Sequence, residues 1–423
     1  VLIIALLSGC QTAPIPDDSA IHYVAVKEPL NRVNIVDHSG LSETITNPER
    51  LKELAQRQYL QSQPYRKVIR VYARNKEGTV HSIITTYYSN GQIQQYLECI
   101  NGRARGLYQE WHENGQPKLL AHLLSGQADI DEKAFLTWSF DGVSQAWDDQ
   151  GALSATFTYK QGALNGPAET FYSSGEKETV STYDNGMKEG LEMTYAKNGQ
   201  VLEQVTFHKG MRHGPATGYY ENGAENWTEE YLNDHLTNAA YFAPDHVMLS
   251  SVQQGEGLRS VFDENRLTGQ EEIHHGQPEG TTTIFDSAGG IERVYGVKNG
   301  KKNGVEIRYV AGTTTPKISI EWRDGIIHGT VKTWYPSGVL ESQRELCQNA
   351  KQGVSMAWYP DGSLMLVEEY DNDKLIKGRY HRKGENIPAS TIDNGKGLAM
   401  LFDASGDIIE KVTYVDGKPQ IDE

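Results

Sequence analysis

The chain has 423 residues and a net charge of −16, with 40 Lys and Arg against 56 Asp and Glu. That balance excludes the clustered cationic surface that nucleic-acid phosphates require, and it disfavours an anionic bilayer surface as a partner. Apolar residues make up 38% of the chain, and past the first few residues no run is long or apolar enough to span a membrane.

Val1 to Leu7 is a short apolar run that leads into Leu7-Ser8-Gly9-Cys10. This pattern resembles the lipobox at which bacterial lipoproteins are cleaved and lipidated on cysteine. Residues 1–10 therefore read as a partial signal peptide, entered inside the precursor because the usual basic region is missing. The resemblance implies lipid attachment at Cys10 and membrane anchoring without spanning. Gln11, where an aspartate would retain a lipoprotein in the inner membrane, implies an outer-membrane protein of the cell envelope.

Residues 11–40, with Pro14, Pro16, Asp17 and Asp18, read as a tether in which Ile21 to Val26 and Arg32 to Val36 could form short strands. Residues 41–82 read as an N-terminal cap, since a stacked array needs its first apolar edge covered. Within it, Asn47-Pro48-Glu49-Arg50 has the N-cap, first-turn proline and early acid of a helix start, with Leu51, Leu54 and Ala55 on one face. Lys67 to Ala73 is predicted to be a strand.

From residue 83 onward a unit of about 24 residues recurs. A first turn falls at Gly91, Gly115, Gly151, Gly175, Gly199, Gly223, Gly289, Gly312, Gly338, Gly362, Gly384 and Gly406. Eleven residues later comes a second, at Gly102, Gly126, Gly162, Gly186, Gly210, Gly300, Gly395 and Gly417, with Asp234, Asn349 and Asp373 elsewhere. Asn and Asp are the residues after glycine that tolerate left-handed backbone, so these substitutions fit. Four further on is a third glycine, as in Gly106, Gly166, Gly190, Gly214, Gly304 and Gly353. Degenerate units are expected at Asn265 and near His246.

Between turns, the eighth position after the first glycine is apolar, as in Cys99, Leu123, Phe207 and Tyr370, and the second position, as in Ile93 and Leu340, shares its parity. Equal parity predicts one strand face. Five residues past the third glycine the chain is aromatic: Trp111, Phe171, Tyr195, Tyr219, Phe285, Tyr309, Trp334 and Trp358. Each unit is thus predicted to be a β-hairpin, and residues 83–423 an elongated, all-β, antiparallel single-sheet array of about 14 stacked hairpins behind a short α/β cap.

Phrases such as Tyr220-Glu221-Asn222-Gly223, Trp111-His112-Glu113-Asn114-Gly115 and Lys209-Gly210-Met211-Arg212-His213-Gly214 resemble the MORN repeat, in the variant found in YwqK-type antitoxin proteins. The resemblance implies a binding or scaffolding surface rather than a chemistry. The sequence carries no phosphate-binding loop, dinucleotide fingerprint, His-Glu-x-x-His or Cys-x-x-Cys, so neither catalysis nor a cofactor is expected. His274-His275 beside Glu271 and Glu272 could be drawn as metal ligands, but neighbouring strand residues point to opposite faces. Cys99 and Cys347 lie ten repeats apart and read as packed thiols without a disulfide.

The pattern breaks twice. An insertion at 127–141 carries Asp129, Asp131, Glu132 and Trp138 and is a candidate contact loop. The stretch 232–265 is disturbed and could bend or divide the array. The leading functional expectation is a lipid-anchored protein-binding or scaffold surface; a glycan or peptidoglycan binder using exposed Trp and Tyr is the alternative, and an antitoxin-like immunity protein the third.

Overall fold

The structure, a computed structural model, describes residues 28–263 and 266–420. The signal-peptide reading of residues 1–10, Cys10, most of the tether and Asn265 lie outside the described residues. The observed class is the expected one: among the described residues there are 35 strands and two helices, with strands joined to their sequence neighbours in an open antiparallel meander. The chain packs as two compact units, Val1–Met187 and Lys188–Glu423.

In the first unit, β1 (Leu30–Asp37) lies between β2 (Ser42–Ile45) and β3 (Arg66–Arg74), antiparallel to both. Arg32 to Val36, given above as a possible strand within the tether, belongs to β1. Helix α1 (Pro48–Ala55) starts where its cap predicts, with Asn47 Oδ1 accepting from the amides of Glu49 and Arg50. The meander continues through β4 (Val80–Tyr87), β5 (Ile93–Ile100), β6 (Arg103–Trp111) and β7 (Pro117–Ser125). Leu51 and Leu54 of α1, with Tyr59, bury one side of this sheet against Val33, Ile69, Tyr87, Ile93, Tyr96 and Trp111. The insertion after β7, carrying the one-turn helix α2 (Glu132–Phe135), packs Ala128, Ile130 and Trp138 onto a separate cluster of Ile84, Leu97, Cys99 and Tyr108.

The second unit contains strands but no helix among its described residues. The disturbed stretch is an ordinary series of hairpins: His246 holds a left-handed turn with φ 63°, and strands Met248–Gln253 and Glu256–Asp263 flank a turn at Gly255. The division of the chain falls at Met187, not within 232–265.

All three turn signals are real backbone demands. First-turn Gly91 has φ 86°, second-turn Asn101-Gly102 has φ 49° and 74°, and third-turn Gly106 has φ 111°; Asp234, Asn349 and Asp373 have φ 65°, 69° and 66°. Each regular unit carries two β-bulges. One is at the third glycine. The other inserts an extra residue early in the first strand, so that Thr86 faces Gln95 while Tyr87 faces Ile93. This second bulge overturns the parity argument: Ile93 falls in the cluster of Tyr87, Tyr96 and Trp111, whereas Cys99 falls in that of Leu97 and Tyr108. An extra residue exchanges the two faces of a strand.

Neighbouring units are bolted at both margins. Tyrosines opening the first turn donate their hydroxyl to a carbonyl one unit on: Tyr88 to Trp111 at 2.8 Å, Tyr220 to Phe242 at 2.6 Å, Tyr335 to Trp358 at 2.9 Å and Tyr359 to His381 at 2.8 Å. At the opposite margin the second-turn amide donates one unit back, as Gly210 does to Lys188 at 2.8 Å. Where that residue is Asp or Asn, its side chain adds a second bond: Asp234 accepts from Arg212, Asn349 from Ile327 and Asp373 from Lys351, at 2.9, 3.0 and 2.8 Å.

Candidate binding faces

The expected contact loop is folded onto the sheet. Asp129 pairs with Arg70 at 2.8 Å, Asp131 caps α2 through the Ala134 amide, and Trp138 stacks edge-on to Tyr108 at 4.7 Å while its Nε1–H donates to Gln127. Glu132 is exposed, and the loop's open apolar tip is Leu136, 89% accessible. Cys99 is buried, which pushes its thiol up to about 12; Cys347, by contrast with its expected packing, is exposed at a strand end beside the turn residue Gln348. His274 pairs with Glu256 at 2.7 Å, and His275 occupies a left-handed turn position with φ 51° and donates its amide to the same carboxylate. They serve as margin residues of the hairpin.

Of the eight periodic aromatics, Trp111 is buried, under α1 and Tyr59; the other seven are half-buried. The register shows what they face. Each stands opposite the first residue of the next strand, so that Phe285 pairs with Ile291, Tyr309 with Pro316, Trp334 with Leu340 and Trp358 with Leu364. Opposed residues share a face, so in the second unit these four pairs line up as an aromatic–aliphatic stripe running across the strands. Ile291 is 44% exposed. In the first unit the equivalent pair, Tyr87 with Ile93, is covered by the chain's own helix.

The other polar feature is a set of internally paired carboxylates, with Glu229 and Glu306 buried and Glu368 half-buried. Glu229 accepts from Tyr231 at 2.5 Å, Tyr241 at 2.6 Å and Arg259 at 2.9 Å. Glu368 accepts from Tyr370 at 3.0 Å and Tyr380 at 2.8 Å. In both places a cation from the preceding hairpin lies over the first tyrosine ring and donates to its hydroxyl: Arg212 over Tyr231, Lys351 over Tyr370. Burial, and then the neighbouring carboxylate, push all four phenols above their usual range, so they stay protonated donors. Glu306 has no accessible side-chain surface and accepts from Lys302, Arg308 and Trp322 at 2.6, 2.8 and 2.9 Å. Burial opposes its charge, but the bonds from Lys302 and Arg308 outweigh that and hold the carboxyl below the usual range.

These centres were missed by sequence reasoning, which assigned the tyrosines to generic packing. A signal was present: Glu229-Glu230-Tyr231 with Asn233-Asp234 recurs as Glu368-Glu369-Tyr370 with Asn372-Asp373. The likeness extends through the turns. Gly257 and Gly397 have φ 146° and 142° and would place a Cβ 2.3 and 2.4 Å from the carbonyl oxygens of Ser251 and Thr391. All these acids are spent on internal partners.

Comparison with known proteins places two stretches, residues 188–209 and 327–347, in the family described as MORN repeat variant. No curated protein matches the chain. Among solved structures, one similar chain belongs to the Tc holotoxin pore of Photorhabdus luminescens: 9% identity, 88% of this chain and 27% of that chain covered, TM-score 0.11. This chain thus spans about a quarter of that chain's length. No described helix is long and apolar enough to cross a membrane.

Proposed function

We propose that this chain is a non-catalytic binding or scaffold protein of the bacterial cell envelope, attached to the outer membrane through lipid on Cys10, whose repeat sheet receives another protein. The observation that carries the reading is the stripe of the second unit: apolar and aromatic pairs at unit spacing, half-exposed, where the first unit buries the equivalent residues beneath its own helix. The MORN-variant stretches fit a repeat surface of this kind. Internal pairing of Glu229, Glu306 and Glu368 supports a structural rather than a catalytic role for these acids.

A second reading, glycan binding, is favoured by the half-exposure of seven of the eight periodic aromatics. Capture from detergent-solubilised envelopes, set against binding to purified cell wall, separates the two. Protein capture alone supports the first reading and cell-wall binding alone the second. Anchoring is tested by fractionation: wild type should pellet with membranes and Cys10→Ala should be soluble, and identical behaviour of both would sink the anchor.

A further inference from the structure

We infer that Arg293 and Arg308, with Lys302 beside them, form a binding site for an oxyanion, a carboxylate or a phosphate group. The site lies on the sheet face turned away from the aromatic–aliphatic stripe, since Arg308 immediately precedes the stripe residue Tyr309 on one strand. It therefore stands or falls separately from the protein-binding reading.

Register puts the two guanidinium side chains together. Arg293, on strand Ile291–Lys298, is directly opposite Arg308, on strand Gly304–Tyr309. Opposed residues share a face, with Cβ atoms about 5 Å apart, and like charges so placed destabilise the pairing unless a charge of opposite sign meets them. The cross-strand row supplies none: it runs to Ile284 on one side and to Ile318, Thr333 and Ser342 on the other. In the hairpins that follow, the equivalent slots hold uncharged pairs, Ile318 opposite Thr333 and Ser342 opposite Ala357.

The acid within reach is already committed. Glu306 accepts from Arg308 Nε at 2.8 Å, from Lys302 at 2.6 Å and from Trp322 at 2.9 Å. Arg293 joins the same cluster through Tyr295: its guanidinium carbon lies 6.0 Å, and Lys302 Nζ 4.7 Å, from the centroid of that ring. Three cations thus stand against one carboxylate. Arg293 forms no ion pair among the described residues, and its Nε–H is closed off from solvent without an acceptor. Folded proteins rarely leave such a donor empty. Glu292, the bulge residue beside Arg293, is exposed and forms no ion pair, and Glu271, on the same face two strands away, is held by Arg259 at 3.6 Å. Arg308 uses only its Nε on Glu306, and its side chain is 44% exposed, so the cluster is open to a ligand. Each planar guanidinium offers paired N–H groups matched to the oxygens of a carboxylate or phosphate, and two of them side by side hold one oxyanion between them. An anion there relieves the repulsion across the strands and gives the unused donors their acceptor.

The test follows the arginine Nε–H signals in nitrogen–proton correlation spectra of the full chain, with Arg293→Gln and Arg308→Gln identifying the two signals by their loss. Glutarate and inorganic phosphate are titrated separately, at an ionic strength held constant with sodium chloride. At least one of them should move both signals to saturation. Tighter binding of glutarate makes the ligand group a carboxylate, and tighter binding of phosphate makes it a phosphate. Arg293→Gln should weaken the binding about tenfold or more with unchanged circular dichroism, and Arg293→Lys, which keeps the charge but loses the fork, should weaken it less. Lys332→Gln, next to Thr333 of the row and so on the opposite face, should leave it unchanged. The bound oxyanion should also raise the urea midpoint of wild type and leave that of Arg293→Gln where it was. Signals that never saturate with either anion, equal shifts in every arginine, or an affinity indifferent to Arg293→Gln would each overturn the site.

Discussion

Tyr359 has no accessible surface and spends its hydroxyl on the carbonyl of His381 in the neighbouring hairpin, so one oxygen joins two units. Tyr359→Phe keeps the ring and leaves that carbonyl without its donor, which costs about 1–2 kcal/mol, read as a lower urea midpoint with unchanged slope. A second residue-scale device is the carboxylate that closes a turn. Glu189 accepts from the Lys209 amide and from His208, and Glu256 from the His275 amide and from His274, at 2.7–2.9 Å. The backbone bond first and the histidine bond second hold both carboxyls below their ordinary value of 4.5. A carboxyl lowered by folding stabilises the fold at any pH above 4.5, and that contribution is lost as pH falls through the lowered value. The urea midpoint should therefore drop below pH 4.5, and Glu189→Gln with Glu256→Gln should flatten the drop while lowering the plateau above it. An unchanged profile in the double variant would show the two carboxylates to be idle.

At the scale of the hairpin, the third-turn glycine and the residue eight positions before it form one part. Glu98, Glu272 and Glu321 accept from the amides of Leu107, Thr281 and Thr330, at 2.8, 2.6 and 3.1 Å. Where proline follows the glycine there is no amide to cap, and Thr158 and Thr206 stand in place of Glu; Thr206 donates instead to the Pro215 carbonyl at 2.9 Å. Glycines that share a φ above zero differ in its value and in their surroundings, which gives a prediction. Gly190→Ala meets nothing within 4 Å and carries only the left-handed backbone penalty, about 1–2 kcal/mol. Gly397→Ala drives its Cβ to 2.4 Å from the Thr391 carbonyl oxygen and must displace backbone, so it should cost about 3 kcal/mol or more by urea denaturation. Equal losses would mean that the close approach relaxes freely. This is also where the sequence was readable. Glycine, Asn and Asp at φ above zero answer a local demand, and the turns, the hairpins and the cap of α1 could be placed from it. The bulge residue Gln94 has no such signature, so the face of Ile93 was misassigned. The partner of Tyr359 lies 22 residues away, out of reach of any local pattern, and the fate of Trp138 depended on a tertiary contact with Tyr108.

For the chain as a whole, stability is regional. The apolar clusters are each assembled from a limited span: Val33 to Trp111 around α1, Val205 to Ile273 around Tyr241, and Tyr359 to Phe402 around Tyr380. In a stacked array each hairpin draws its support from its neighbours, so a local defect spreads by nearest-neighbour coupling and fades with distance along the chain. Ile69, 1% exposed in the first cluster, tests this. Ile69→Ala removes three carbons from a packed site, a loss of about 2–5 kcal/mol where it acts. Hydrogen exchange followed by mass spectrometry should then show faster exchange in peptides between residues 30 and 111, and unchanged protection in peptides covering 359–402. A uniform rise in exchange from end to end would instead mean that the hairpins fold as one cooperative body, with the free energy of α1 and its leucines shared by every repeat. The regional outcome has a functional side. It would leave the stripe between Phe285 and Leu364 stable on its own hairpins, so that a partner binding there gains from a preformed surface and α1 serves only the edge it covers.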